Sequence, residues 1–334
     1  MLYLINNDLC YIENRYVIIM LDKFHRKINY LRISITDLCN YRCKYCMPTT
    51  GVLKKMHSEI LTFEELYYIS HVFVEQGVDK IRITGGEPLL RKGVEHFIES
   101  LGNIDKIKDL AMTTNASLLK DKATKLKKAG LNRVNISLDT LNPKKFHSLT
   151  TGSLDDVLEG IDAAFEAGLE VKLNTVLLKG INEDEIEDFI NITMDKNIDI
   201  RFIEVMPIGP TSDYAKEKFL SSDDIINNFD LIKIANDDIH SPAKLYKLEN
   251  SLGRVGFINP LSHNFCGDCN RIRLTSDGKL KPCLHSDNVI DIKRPLRNGE
   301  DIRIYIEKAL AKKPLKHHLL EGENINSSMS SIGG

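Results

Sequence analysis

Three cysteines fall within eight positions of the stretch TDLCNYRCKYCMP: Cys39, Cys43 and Cys46, spaced C-x3-C-x2-C. Disulfides pair cysteines evenly, and a closed structural zinc site takes four ligands. Thiolates select soft metals, and an iron–sulfur cube is ordinarily held by four of them. A cube held by three leaves one iron open to an exchangeable ligand; zinc completed by a distant side chain, His57 or His71, is the alternative. A second set of three, Cys266, Cys269 and Cys283, lies in NFCGDCNRIRLTSDGKLKPCL with C-x2-C-x13-C spacing. It reads either as a zinc knuckle with His285 as fourth ligand or as a second open cluster. Between its cysteines, Arg271 and Arg273 stand one residue apart, so an extended backbone would point both into one site. Paired guanidinium groups suit phosphate or carboxylate.

The elements that must position these groups are legible as alternating strands and helices. LRISITD (31–37), KIRITGG (80–86), DLAMTTN (109–115), RVNISLD (133–139), VKLNTVLL (171–178) and DIRFIEVM (199–206) read as six strands. Between them, TFEELYYISHVFVEQG opens on Thr62 and Glu65 as a capping box and stops at Gly77. SLDDVLEGIDAAFEAG puts Val157, Ile161, Ala164 and Phe165 on one face and stops at Gly168. Strands joined by single helices are parallel, through right-handed crossovers. Parallel strands are usually apolar on both faces, yet here Leu31, Ile33 and Ile35 alternate with Arg32, Ser34 and Thr36. Ile81 and Ile83 alternate with Lys80, Arg82 and Thr84; Val134, Ile136 and Leu138 with Asn135, Ser137 and Asp139; Val171 and Leu173 with Lys172 and Asn174. Period two with one polar face predicts a curved sheet around a wet cavity: an α/β fold, a partial (β/α)6 TIM-type barrel. The first triad follows the first strand at its carboxyl end, where such barrels place active sites.

Bulk properties limit the rest. The chain has 334 residues and a formal net charge of −2, which argues against a general affinity for nucleic acid or anionic membrane. Bound anions must meet locally placed cations. No run of about 18 apolar residues is present, and the acidic residues near the start do not suit a signal peptide. Seven cysteines, six of them in two clusters of three, suit a reducing cytoplasm. The expected organisation is an N-terminal arm or upstream start over 1–22, since Met20 opens MLDKFHRKINY. The partial barrel follows over 23–207, then a C-terminal part over 208–325 with the second triad, and a flexible glycine-ended tail over 326–334. The loops of 207–262 are not readable.

The first triad, with Tyr45 before its last cysteine, resembles that of the radical S-adenosylmethionine (SAM) enzymes. ITGGEPLLR (83–91) resembles their glycine-rich motif, whose backbone holds the methionyl part of SAM. From about Lys23 to the closing Gly333–Gly334, the chain resembles the molybdenum cofactor biosynthesis protein A family, the GTP 3′,8-cyclases. The resemblance rests on LRISITDLCN, KIRITGGEPLLR, TTN, VNISLD, RFIEVMPIG, CGDCNRIRLTSDG and the terminal glycines. Leu38 departs from a commonly basic position and Ala116 from the usual glycine after TTN.

The resemblance implies two 4Fe-4S clusters, one on Cys39, Cys43 and Cys46, whose open iron binds SAM, and one on Cys266, Cys269 and Cys283, whose open iron faces guanine. Tyr45, Gly86, Ser137 and Met206 match SAM contacts. Arg32, Arg82, Thr113 and Lys172 match GTP contacts; Arg271, Ile272 and Arg273 would anchor the nucleotide, and Lys80 would add to triphosphate binding. The implied reaction cleaves SAM to a 5′-deoxyadenosyl radical, takes a hydrogen from the ribose 3′ carbon of GTP, joins that carbon to guanine carbon 8 and ends in a reduction. The implied partners are an electron donor such as a flavodoxin or ferredoxin and a downstream cyclic pyranopterin monophosphate synthase; a homodimer stays open. Gly333 and Gly334 are implied to reach the active site.

Overall fold

The computed structural model describes residues 9–12, 15–319 and 325–332. A hairpin of β1 (Leu9–Ile12) and β2 (Arg15–Ile18) stands apart from one large sheet. In that sheet β3 (Tyr30–Ser34), β4 (Lys80–Thr84), β5 (Asp109–Thr114), β6 (Arg133–Ser137), β7 (Glu170–Leu177) and β8 (Asp199–Glu204) run parallel in chain order. They coincide with the six expected strands. The intervening helices are α1 (Phe63–Glu75), α2 (Val94–Gly102), α3 (Ala123–Lys128), α4 (Pro143–Thr150), α5 (Leu154–Glu166) and α6 (Ile186–Asp195).

Local chemistry fixes their ends. Thr62 Oγ1 accepts from the Glu65 amide and the Glu65 carboxylate accepts from the Thr62 amide, which closes the capping box of α1. Gly77, at φ +100°, lets the chain leave that helix in a conformation a side chain would resist. Leu66, Ile69 and Phe73 of α1 and Val157, Ile161 and Ala164 of α5 are buried. They meet the apolar face of the strands, where Leu31, Ile33, Ile81, Ile83, Val134 and Ile136 lose nearly all contact with solvent. The other strand face looks into the cavities described below.

The region after residue 207 adds to the sheet. It forms α7 (Ser212–Glu217), α8 (Asp223–Ile226), β9 (Ile232–Ile234), β10 (Ala243–Lys247), β11 (Arg254–Ile258), β12 (Arg271–Leu274), β13 (Lys279–Lys281), β14 (Ile290–Asp291), α9 (Lys293–Arg297) and α10 (Arg303–Ala311). β11 pairs parallel to β8, and β12 pairs parallel to β3. The parallel run therefore holds eight strands rather than six, with antiparallel pairs at each end and an order β14-β13-β12-β3-β4-β5-β6-β7-β8-β11-β10-β9. The sheet curves but does not close, as expected of a partial barrel. No described helix is long and apolar enough to cross a membrane.

Candidate active site

The first triad sits in the loop after β3, and the glycine-rich loop after β4 holds it in place. The Gly86 amide donates to the Thr36 carbonyl at 2.8 Å and the Glu87 amide to the Leu38 carbonyl at 2.8 Å. A Cβ on Gly86 would overlap the Leu38 carbonyl, and one on Gly85 would lie 2.6 Å from that of Thr36. The close approach that needs glycine here is backbone on backbone, motif against cysteine loop. Cys39, Cys43 and Cys46 then ring one cavity with Tyr45, Gly86, Ser137 and Met206 in its wall. Burial pushes the Cys46 thiol up to about 12, with the like charge of Cys39 adding to it, so loading a metal there must expel protons. Among the described residues no three His, Cys, Asp or Glu side chains converge as around a single ion. His57 and His71 lie outside this cavity.

Two buried carboxyls brace this chamber. Tyr45 Oη donates to Asp139 at 2.6 Å, and the Val176 amide donates to the same carboxyl at 2.8 Å. Burial pushes Asp139 up to about 6 against those bonds. Glu87 accepts from the Leu89 and Asn115 amides and from Thr114 Oγ1, and burial pushes it up to about 7.

A second chamber adjoins the first across Thr113, Asn174, Ile203 and Met206, which line both. Cys266, Cys269 and Cys283 lie in its wall, with Arg32, Arg82, Arg201, Arg271, Arg273 and Lys313. Strand register explains the concentration of charge: Arg273 of β12, Arg32 of β3 and Arg82 of β4 are paired in register, side by side on one sheet face. Among the described residues no carboxylate lines this chamber. Burial, then the neighbouring Arg271, pushes Arg273 down to about 10, still protonated at neutral pH. The buried Arg82 Nε, Arg201 Nε, Thr113 Oγ1 and Asn174 Oδ1 have no hydrogen-bond partner among the described residues. Such atoms are costly unless a polar ligand meets them, so the residues fit a polyanion with further hydrogen-bonding groups. His285 shares the cavity, neutral because burial pushes it down to about 3, with Nε2 3.1 Å from Met206 Sδ.

Two expected contacts lie differently. Lys172 lines an adjoining polar chamber and pairs with Glu170 and Asp199, each at 2.8 Å. Lys80 lines the same chamber and pairs with Asp238. Ile272 is fully buried, so only its backbone is available. The tail lies against both chambers: Met329 and Ser330 line the first, and the Ile332 carbonyl accepts from Arg273, in the wall of the second, at 3.4 Å. Gly333 and Gly334 lie outside the described residues.

Two family models match successive parts of the chain. Residues 33–192 match the Radical SAM superfamily and residues 198–319 match Molybdenum Cofactor Synthesis C. A GTP 3′,8-cyclase of Alkaliphilus oremlandii is 55% identical over 94% of this chain and 100% of its own length. The chain belongs to the GTP 3′,8-cyclase family. Another GTP 3′,8-cyclase, of Peptoclostridium acidaminophilum, is 53% identical over 95% of this chain and 98% of its own. Among solved structures, Streptococcus suis SuiB bound to precursor peptide SuiA overlays with a TM-score of 0.62 at 15% identity, covering 93% of this chain and 76% of that one. That likeness speaks to the fold alone.

In this family member, sequence reasoning passed over Arg201, Glu87 and Lys313 as site residues. Arg201 had a signal, since Ile200 and Phe202 flank it with the same period-two alternation as Arg32 and Arg82. Lys313 had none: ALAKKPLKHH looks like a solvated surface run.

Proposed function

We propose that this chain is a radical SAM lyase that converts GTP to (8S)-3′,8-cyclo-7,8-dihydroguanosine 5′-triphosphate, the first step of molybdenum cofactor biosynthesis, with SAM and two 4Fe-4S clusters. The observation that carries the reading is the arginine-lined chamber, without a carboxylate among the described residues, that holds the second cysteine triad and adjoins the first, in a chain whose net charge is only −2. Cys39, Cys43 and Cys46 would hold the first cluster, with SAM against Tyr45, Gly86, Ser137 and Met206. Cys266, Cys269 and Cys283 would hold the second. When bound, the first cluster and SAM supply a 5′-deoxyadenosyl radical.

The protein's part is placement and exclusion. Arg32, Arg82 and Arg201 would take the triphosphate by charge-assisted hydrogen bonds, with Thr113 and Asn174 presenting neutral polar atoms to the sugar side. Arg271 and Arg273, with the Ile272 backbone, would fix the nucleotide beside the second triad. Lys172 and Lys80 would join only by exchanging their present acidic partners for phosphate. Gly333 and Gly334 would complete the closure that Met329 and Ser330 begin, keeping water from the reacting atoms. The wider assignment is a cytoplasmic enzyme fed by a flavodoxin- or ferredoxin-like donor, its product passing to a cyclic pyranopterin monophosphate synthase.

The test uses protein reconstituted without oxygen. About eight irons per chain, and 5′-deoxyadenosine formed from SAM and dithionite only when GTP is present, are expected. Four irons with zinc, or SAM cleavage indifferent to GTP, would reject GTP as substrate while keeping the radical core.

A further inference from the structure

Lys313 follows α10 and is 2% exposed. Its ammonium donates to the Arg271 carbonyl at 2.8 Å, to the Pro282 carbonyl at 2.8 Å and to Cys269 Sγ at 3.4 Å. One side chain thus bridges the two arms of the second triad, the run after Cys269 and the residue before Cys283. The segment that carries it is fixed from the other side. Arg26 Nη1 donates to the Cys266 carbonyl at 2.7 Å and to that of Leu315 at 3.0 Å, and Nη2 donates to that of Pro314 at 2.7 Å. Burying an ammonium is costly, and two carbonyl dipoles offset only part of that cost. A thiolate sulfur beside it offsets more, and the cation in turn stabilises any added negative charge on whatever that sulfur binds.

We propose that Lys313 is a positioning residue that raises the reduction potential of the second cluster. Hydrogen bonds to ligand sulfurs, and nearby charge, are what tune such clusters. A buried cation that donates to Cys269 favours the more negative, reduced form and holds the sulfur in a fixed orientation. The proposal rests on the assignment of Cys266, Cys269 and Cys283 to that cluster.

The test is a redox titration of the reconstituted full-length enzyme, followed by electron paramagnetic resonance. The second-cluster signal is the one that survives Cys43→Ala; if no such signal exists in otherwise wild-type protein, the assignment beneath the proposal fails and the proposal with it. Lys313→Met keeps most of the length and removes charge and donors; Lys313→Arg keeps the charge. The expected result is a fall in potential for Lys313→Met of at least a tenfold change in the reduced-to-oxidised ratio, 59 mV for one electron, with Lys313→Arg close to wild type. Should Lys313→Met load poorly, Lys313→Gln takes its place. An unchanged potential in a loaded neutral variant overturns the proposal. So does failure of both neutral variants to hold iron with the secondary structure intact, since the lysine would then be a scaffold only.

Discussion

Arg273, Arg32 and Arg82 occupy adjacent in-register positions on strands about 4.8 Å apart. Arg82 is half-buried, and desolvation with the neighbouring Arg133 and Arg271 disfavours its charge, so an apolar side chain of similar size costs the folded chain little. Arg82→Met should therefore leave the melting temperature without GTP unchanged or higher, while weakening GTP binding roughly 10- to 100-fold, the worth of hydrogen bonds to a charged group. Anaerobic melting and equilibrium binding check both halves; a large loss of stability would mean that Arg82 is structural. Gly86 makes the opposite prediction. Gly86→Ala should cost about 1–3 kcal/mol by overpacking and lower iron retention at the first triad only, read by denaturation and iron counts. At this scale the chemistry-bearing residues were legible wherever type and spacing sufficed, as for both triads and the alternating arginines. Lys172 was legible as a polar-face lysine, but its pairing with Asp199 depends on a neighbouring strand that no local pattern reveals.

The tail is an element whose order comes from its contacts. Its composition reads as mobile, yet Asp287 accepts from the Asn326 amide and side chain and from the Ser327 amide and hydroxyl. The Gly209 amide donates to the Ile325 carbonyl at 2.8 Å, and Ile332 packs with Ile208 and Leu261. Asp287→Ala should speed proteolysis within 325–332 and lower GTP turnover without loss of iron. Deleting Gly333 and Gly334 should abolish turnover with both clusters retained. Full turnover by the deletion variant would remove the tail from the site. The other elements divide in the same way. The strands β3 to β8, the capping box of α1 and the glycine stop of α5 were readable because their signals are local. The insertion of β11 and β12 at the two edges of the parallel run was not, because register with β8 and β3 is set by distant partners.

For the whole molecule, the buried carboxyls set a pH dependence. Glu87 moves from 4.5 to about 7 and Asp139 from 3.8 to about 6 on folding, burial being the main cause. Between those values the folded chain holds protons that the unfolded chain has lost. Their stabilisation is full below the unfolded values and is lost as pH rises through the folded ones. Melting temperature should fall from pH 6.5 to pH 8, above the range in which the depressed His285 acts in the opposite sense, and Glu87→Gln should shrink that difference whatever it does to absolute stability. An unaltered difference would place the dependence elsewhere.

The pairing of β12 with β3 also has a consequence for synthesis. Tyr30 meets Arg271, some 240 residues later in the chain. At roughly 5–20 residues per second, the leading edge of the first barrel strand waits about 10–50 s for its partner while the polypeptide is still emerging. An open edge invites association with other chains. Neither chamber can be walled before that wait ends, so any loading of the second triad is a late event, after most of the chain has been made.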